Sequence, residues 1–322
     1  MTGPVVLVVT HWFDPTADVV VGELGRRGAW VFRFDAADFP RRLRVTGTLG
    51  PDGWACALRL GSRHAELADV SGIYFRRPTS FSFGTLPEPD AAWAREEARA
   101  GLGGLLMAHQ RWLNHPHHLG YAEYKPVQLA EAARAGLRVP KTLITNDPGR
   151  AREFTAGLDQ AVYKQMSAVR PPGDGEPQML YTSVVEEKHL AEDGGAVAAT
   201  AHMFQERIQA DYAVRLTVVD DRMFAAAIRG SSPRACLDWR SEQDKLTYEP
   251  VTVPEDAARG TRALMRAFSL RFGAFDFLVT DDGGWVFLEV NPNGQWAWIE
   301  QATGMPIAAA ISDALTSSGP LT

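Results

Sequence analysis

Apolar positions in the first third of the chain switch between two periods. Val5 to Thr10 is a continuous β-branched run, Thr16 to Gly28 recurs at helical spacing and stops at glycine, and Trp30 to Phe34 is extended again. The chain therefore opens as a βαβ unit. Val45 to Leu60 reads as two strands around Gly50-Pro51-Asp52-Gly53, Ile73 to Phe75 as a short buried strand, and Asp90 to Gln110 as a long helix. Beyond the loop His115 to Tyr121, Pro126 starts a helix over Gln128 to Ala135 that Gly136 closes, and the strand Val139 to Thr145 follows. Asn146-Asp147-Pro148 caps another helix, and Gln160 to Met166 forms a strand carrying Lys164. A Gly/Pro-rich loop, Ser167 to Pro177, leads to a strand over Gln178 to Val185. The last third holds strands Ala213 to Val219 and Met223 to Arg229, a helix over Asp256 to Phe272, and then a hairpin and a helix. These patterns define an α/β (α+β) chain in three units, 1–115, 116–203 and 204–322, without internal repeats.

The hairpin carries the clearest chemistry. Its strands, Ala274 to Thr280 and Trp285 to Asn291, are joined by Asp281-Asp282-Gly283-Gly284. A symmetric turn pairs Thr280 with Trp285 and sets Asp276 opposite Glu289, with Asn291 two residues along the same face. The other face would be Phe275, Phe277, Val279, Val286, Leu288 and Val290, apolar throughout and so buried. Two facing carboxylates repel at neutral pH unless a cation lies between them, and hard oxygen donors select Mg²⁺ or Mn²⁺.

Composition narrows the setting. A net charge of -6 gives no global positive field for nucleic acid or anionic membrane. Two cysteines, Cys56 and Cys236, build no disulfide framework and point to a reducing compartment. The apolar run Val5 to Val9 is too short for a signal peptide core, and no stretch reaches a membrane span, so a cytoplasmic protein is expected. Arginine outnumbers lysine several-fold, which makes Lys125 and Lys164 individually informative. His115, His117 and His118 lack both the spacing and the cysteine partners of a zinc site.

Asp276, followed by Glu289-Val290-Asn291-Pro292-Asn293-Gly294, resembles the metal motif of ATP-grasp ligases. The resemblance implies an ATP-grasp fold with an N-terminal pre-ATP-grasp domain, a central subdomain and a C-terminal catalytic subdomain. It implies that Asp276, Glu289 and Asn291 hold two Mg²⁺ ions bridging ATP phosphates, and that Lys125 and Lys164 contact those phosphates. Phe204-Gln205-Glu206-Arg207-Ile208 is similar to the interdomain hinge that reads adenine, implicating Gln205, Glu206 and Ile208, with Asp211 on the ribose. Arg215, Arg229 and Arg240 stand where guanidinium groups would wall the phosphates and assist phosphoryl transfer.

Further motifs extend the likeness over most of the chain: Thr10 to Asp18, Phe32-Arg33-Phe34-Asp35, Tyr74-Phe75-Arg76-Arg77-Pro78, Asn114-His115-Pro116, Tyr124-Lys125-Pro126 and Asn293-Gly294-Gln295-Trp296. Together they resemble the graspetide synthetases, microviridin-type maturases that macrocyclise ribosomal peptides. The family's activity would be phosphorylation of a peptide Asp or Glu side chain, followed by attack of Thr, Ser or Lys to give a lactone or lactam. Arg76 and Arg77 would then face an acidic core peptide, and Glu186, Glu187, Glu192 and Asp193 would dock a leader carrying an arginine. A homodimer is a further implication. The competing readings are an ATP-grasp ligase joining free amino acids or adding glutamate to a protein tail, and a nucleotide-binding regulator without catalysis. The complete Asp276, Glu289 and Asn291 set weighs against the regulator.

Overall fold

The computed structural model describes residues 3–167, 182–186, 190, 194–230, 239 and 245–317. The opening βαβ unit forms as the periodicity requires. Strand β1 (Val5–Val9) is fully buried, and helix α1 (Pro15–Arg26) follows the N-cap Asp14, whose side chain accepts from the Ala17 amide. Strand β2 (Trp30–Phe34) and the later β6 (Val70–Phe75) both run parallel to β1 in a sheet of order β2-β1-β6. Between them β3 (Leu43–Gly50), β4 (Gly53–Leu60) and β5 (Arg63–Glu66) make an antiparallel meander. The long helix expected over Asp90 to Gln110 is α2 (Asp90–Ala98), a π-helical turn over Arg99–Gly103 and α3 (Gly104–Met107), continuous in direction.

Next come α4 (Pro116–Ala122) and α5 (Lys125–Arg134), the latter with Pro126 in its first turn, where a missing N–H costs nothing. Strand β7 (Thr142–Thr145), helix α6 (Pro148–Ala156) capped by Asp147, β8 (Ala161–Lys164), β9 (Ser183–Val184), helix α7 (Gly194–Ala199) and β10 (His202–Glu206) follow. Their described strands form a sheet of order β7-β10-β8-β9. The boundary expected at residue 204 therefore falls inside a strand: β10 pairs with β7 and β8, and the central sheet runs through Glu206.

The C-terminal sheet has order β13-β12-β11-β14-β15, from β11 (Tyr212–Val219), β12 (Arg222–Gly230), β13 (Leu246–Pro250), β14 (Phe272–Val279) and β15 (Trp285–Asn291). Helix α8 (Glu255–Ala267) ends five residues before the expected Phe272, which instead begins β14. Helices α9 (Ala297–Thr303) and α10 (Ile307–Thr316) close the chain. One face of this sheet packs Val214, Leu216, Phe275 and Phe277 against Leu119, Leu129, Leu264 and Phe268. Helices α4 and α5 thus belong physically to the C-terminal body, although they precede the central sheet in sequence. Part of the other face meets α1, α9 and α10 through Phe224, Ala274, Trp296 and Ile311. The remainder of that second face is where the candidate site lies.

The hairpin pairs Asp276 with Glu289, but by a different route from the symmetric turn. Val279, not Thr280, pairs with Trp285, and Phe277 pairs with Phe287. A β-bulge then leaves Leu288 without a cross-strand partner and restores Asp276 to Glu289 and Ala274 to Asn291. The core face is consequently Phe275, Phe277, Val279, Trp285, Phe287 and Val290, with Trp285 and Phe287 in place of the expected Val286 and Leu288.

Substitutions at neighbouring positions report this register. Phe287→Ala is expected to cost about 3–5 kcal/mol, as a buried aromatic does, and Leu288→Ala less than about 1.5. Denaturant melts of the two variants check it, and equal losses would contradict the bulge.

Candidate active site

Strand alternation and register bring the acidic residues to one surface. Asp276 on β14 faces Glu289 on β15 on one side and Arg215 on β11 on the other. Arg215 Nη1 donates to Asp276 Oδ1 at 2.7 Å, and both side chains are only 5% exposed, so this is a buried ion pair. Its Nη2 donates to the Gln295 carbonyl at 3.1 Å, and the guanidinium lies 5.7 Å from the Trp239 ring centroid. Lys125, the first residue of α5, places Nζ 2.9 Å from Glu289 Oε2 and donates to the Gln165 carbonyl at 2.9 Å. Gln165 directly follows Lys164, the last residue of β8, so Lys125 bridges the edge of the C-terminal sheet and the end of the central one. Asn291 Oδ1 accepts from the Asn293 amide at 3.0 Å, an Asx-type turn that folds the chain beyond the strand.

Each carboxylate is thus paired with a cation in a partly dehydrated setting. Among the described residues no three His, Cys, Asp or Glu side chains gather as a self-sufficient metal cluster. Two carboxylates and one amide oxygen on adjoining register positions fit a hard divalent ion that takes its remaining oxygens from phosphate and water. The Lys125 and Arg215 cations stand beside those donors, where phosphate charge would be placed.

The hinge candidates connect the two sheets. Glu206 ends β10 and its amide donates to the Lys141 carbonyl at 2.9 Å, while the Arg207 amide donates to Gln160 at 2.9 Å. Gln205 is buried and its Nε2 donates to Thr142 Oγ1 at 2.9 Å, leaving buried Oε1 without a partner among the described residues. Ile208 lies in the five-residue link, and Asp211 donates its amide to the Val279 carbonyl at 2.8 Å on entering β11.

Two arginines expected near the reacting groups are placed otherwise. Arg229 lies on the opposite face of the sheet from Asp276, because Ala226 is the residue of β12 that pairs with Arg215. Its Nε donates to Glu249 at 2.9 Å and its guanidinium stacks 4.1 Å from the Tyr212 ring centroid, so it is not among the groups this register gathers. Arg76 is buried and each of its nitrogens donates a bond: Nε to Asp14 Oδ2 at 2.7 Å, Nη1 to the Gly294 carbonyl at 3.4 Å and Nη2 to Gln295 Oε1 at 3.2 Å. It ties the N-terminal unit to the metal-motif loop. Arg77 is the exposed member of the pair, within 3.4 Å of the Asn293 carbonyl. Partial desolvation, and then the Arg76 and Arg215 guanidiniums, pull it below the ordinary arginine value, which marks a locally cationic corner. Of the acidic leader candidates Glu186 is described and exposed. Glu187, Glu192, Asp193 and the arginine candidate Arg240 lie outside the described residues.

Two positioning residues escaped the sequence reading. Gln128 of α5 is buried, donating Nε2 to the Val290 carbonyl at 2.8 Å and to Ala122 at 2.6 Å, and accepting from the Val290 amide at 3.0 Å. It therefore fixes the backbone between Glu289 and Asn291 to the helix that carries Lys125. Asn114, also buried, donates Nδ2 to the carbonyls of Phe272 and Pro292 at 2.8 and 2.9 Å, and its Oδ1 accepts from the Arg271 and Phe272 amides. The signal for Gln128 was a long polar side chain on the apolar stripe of Leu129 and Ala132.

Against known proteins, residues 5–119 match the model described as the MvdD pre-ATP grasp domain. No curated protein matches the sequence significantly. Among solved structures the chain is similar to a Chryseobacterium gregarium RiPP-associated ATP-grasp ligase in complex with ADP and a leader and core peptide, with 26% identity, a TM-score of 0.90, and 99% of this chain and 98% of that one covered. It is also similar to the macrocyclase MdnC bound with precursor peptide MdnA from Microcystis aeruginosa, at 27% identity and a TM-score of 0.84, covering 97% and 99% of the chains. The macrocyclase MdnB from the same organism follows at 28% identity and 0.79, covering 97% and 99%. The fold and the arrangement of its sheets are those of an ATP-grasp ligase. Its MvdD-type N-terminal domain and these structural relatives support a graspetide-type ATP-grasp ligase.

Two variants test the scaffold of the site. Gln128→Leu keeps volume but strands the Val290 N–H and two carbonyls, and is expected to cost about 1–3 kcal/mol per stranded group in a thermal or denaturant melt. The second concerns Asp14, where burial alone would raise the carboxyl, but Arg76, Thr10 and the Ala17 amide outweigh it and hold the group below the ordinary carboxylate value. A depressed value adds stability that is complete above the ordinary carboxylate range and is lost as pH falls through the lower, folded value. Asp14→Asn should therefore be less stable than wild type at neutral pH, with the gap closing on acidification. A pH series of melts in which the gap stays constant would refute this assignment.

Proposed function

We propose that the chain is an ATP-dependent macrocyclase acting on a ribosomal precursor peptide. The carrying observation is the constellation of Asp276, Glu289 and Asn291 on one face with Lys125 and Arg215 paired to the two carboxylates. A carboxylate is a poor acyl donor because oxide would have to leave, so the reading needs a nucleotide site and no protein nucleophile. A peptide Asp or Glu oxygen attacks the γ-phosphorus, ADP departs, and an acyl phosphate forms. A Thr or Ser hydroxyl, or a Lys amine, then attacks that carbonyl, loses its proton and expels phosphate, closing an ester or amide.

This chain's residues divide the work. Asp276, Glu289 and Asn291 would hold Mg²⁺, two ions in our reading and Mn²⁺ as an alternative, which supplies charge neutralisation across the phosphates when bound. Lys125 exchanges Glu289 for phosphate oxygen, and Lys164 approaches from the neighbouring strand end. Arg215, anchored by Asp276 and the Gln295 carbonyl, keeps a fixed positive group beside the transferring phosphoryl. Gln205, Glu206 and Ile208 line adenine and Asp211 the ribose, with Arg240 in the phosphate wall. Arg77 faces the substrate carboxylate, and Glu186, Glu187, Glu192 and Asp193 receive the leader. The described residues hold no helix long and apolar enough to cross a membrane. The family resemblance supports a homodimer, and the cysteine usage a reducing, cytoplasmic setting.

Glu289→Gln is the sharpest test. It keeps shape and one oxygen but removes the charge that offsets both Lys125 and the metals, so turnover should fall on the order of 10³-fold or more, each factor of ten being about 1.4 kcal/mol. The apolar face of the hairpin is untouched, and the melt should be close to wild type. Mass spectrometry of a co-expressed Thr-, Asp- and Glu-rich peptide reads the chemistry, one water lost per ring. A folded variant that dehydrates peptide at near wild-type rate would remove the reading. Calorimetry adds a second check: ATP should bind weakly with chelator and tightly with Mg²⁺, because the triphosphate otherwise meets two carboxylates.

A further inference from the structure

On the N-terminal unit lies a cationic concavity of about 420 Å³ lined by Trp12, Arg41, Arg42, Leu60, Gly61 and Arg63. Its floor is built. Arg33 donates Nη2 to the His11 and Trp12 carbonyls at 3.0 Å each, which fixes the loop, and the guanidiniums of Arg33 and Arg42 flank the Trp12 ring at 5.8 and 5.5 Å from its centroid. Arg63 is set by its bond to the Val31 carbonyl and by the rings of Trp30 and Phe32. The charges do not balance. Arg33 is paired with Asp18 and Arg42 with Asp38, whereas Arg41 and Arg63 meet no carboxylate among the described residues. This local excess sits on a protein of net charge -6.

The loop that carries Trp12 is also tied to the loop after the metal motif. His11, next to Trp12, donates its amide to the Arg77 carbonyl, and Asp14, two residues after Trp12, is the partner of Arg76 that reaches Gly294. Phe13, next to Trp12 in the chain, is 90% exposed, a large apolar side chain held out to solvent.

We propose that this concavity is a second peptide subsite, which takes acidic side chains of the substrate on Arg41 and Arg63 while Trp12 and Phe13 pack its apolar parts. It rests on the reading of the substrate as a carboxylate-bearing peptide, and it gives such a peptide a hold one loop away from the corner where Arg77 meets the metal motif. Guanidinium is suited to this because it stays charged and binds carboxylate in a fork. An acid held here is kept out of the phosphoryl-transfer site, so the subsite would influence which acid reacts and in what order.

The test uses the intact protein saturated with Mg-ADP and fluorescence anisotropy of labelled hexaglutamate, with labelled hexaglutamine and a labelled oligothymidylate of six nucleotides as comparisons. Hexaglutamate should bind, weaken with added salt and exceed both comparison probes. Arg41→Glu, at an exposed side chain that bonds nothing among the described residues, should weaken it by at least about tenfold with an unchanged melt, and Arg41→Lys should restore most of the loss. Equal affinity for Arg41→Glu and wild type, or tighter binding of the oligothymidylate through Arg41, would overturn the subsite. The binding assay needs no turnover. Arg41-dependent hexaglutamate binding by a protein that dehydrates no peptide would sink the macrocyclase reading and leave the subsite standing. Peptide dehydration by wild type with an indifferent Arg41→Glu would do the reverse.

Discussion

A short backbone segment, residues 289–295, depends on side chains that come from all over the chain. Gln128 grips Val290 from the helix that carries Lys125, Asn114 takes the Pro292 carbonyl, and Arg76 and Arg215 hold Gly294 and Gln295. The neutral bonds among these contribute on the order of 1 kcal/mol net each, and the guanidinium bonds about 1.5–3. Their effect comes from burial, because a dehydrated amide or guanidinium that lost its partner would be penalised more than the bond itself is worth. The segment can therefore take few other conformations, and Glu289 and Asn291 inherit that restriction. Preorganisation of oxygen donors in this way is what electrostatic catalysis requires, since groups already in place need not reorganise during phosphoryl transfer.

The same bonds explain why the N-terminal unit matters to a site that lies mainly on the C-terminal sheet. Asp14 caps α1, neutralises Arg76 and accepts from Thr10, so a helix start, a strand end and the loop after the metal motif meet at one carboxylate. Removing either member of such a buried pair leaves the other charge uncompensated, which costs about 3–5 kcal/mol. Thr16 adds a bond to Gln295 Oε1 at 2.6 Å, making Gln295 the contact through which the units share a side. Orientation between the units and geometry within the site are thus set by one network.

What could be read from the sequence, and what could not, follows from the range of each interaction. Alternation along Phe275 to Val279 separated acid from apolar positions because a strand's period is local. The facing of Asp276 and Glu289 was also legible, although counting from a symmetric turn reached it by an even exchange: the turn pairs one residue earlier and the bulge at Leu288 returns the difference. Arg229 was misassigned because its face depends on cross-strand register with β11, which an isolated apolar run does not carry. Arg76 and Arg77 looked equivalent as a dipeptide, and only the buried Asp14, sixty-two residues away, distinguishes the structural one from the exposed one. The roles of the site residues toward nucleotide, metal and peptide rest on the resemblance and on the donor chemistry.

The bulge at Leu288 has a consequence for how such a hairpin can diverge. Everything on the turn side of it, from Val279 and Trp285 through Gly283, keeps one phase of the pleat, and everything on the far side keeps the other. It works as a phase joint, so the turn can be remodelled in composition without transmitting a slip to Glu289 and Asn291. Deleting the joint itself would exchange inside for outside over those two residues, bringing a carboxylate into an aromatic core and a valine to the metal face. Sequence drift should then be permissive at the tip of this hairpin and strict about the number of residues between Trp285 and Glu289.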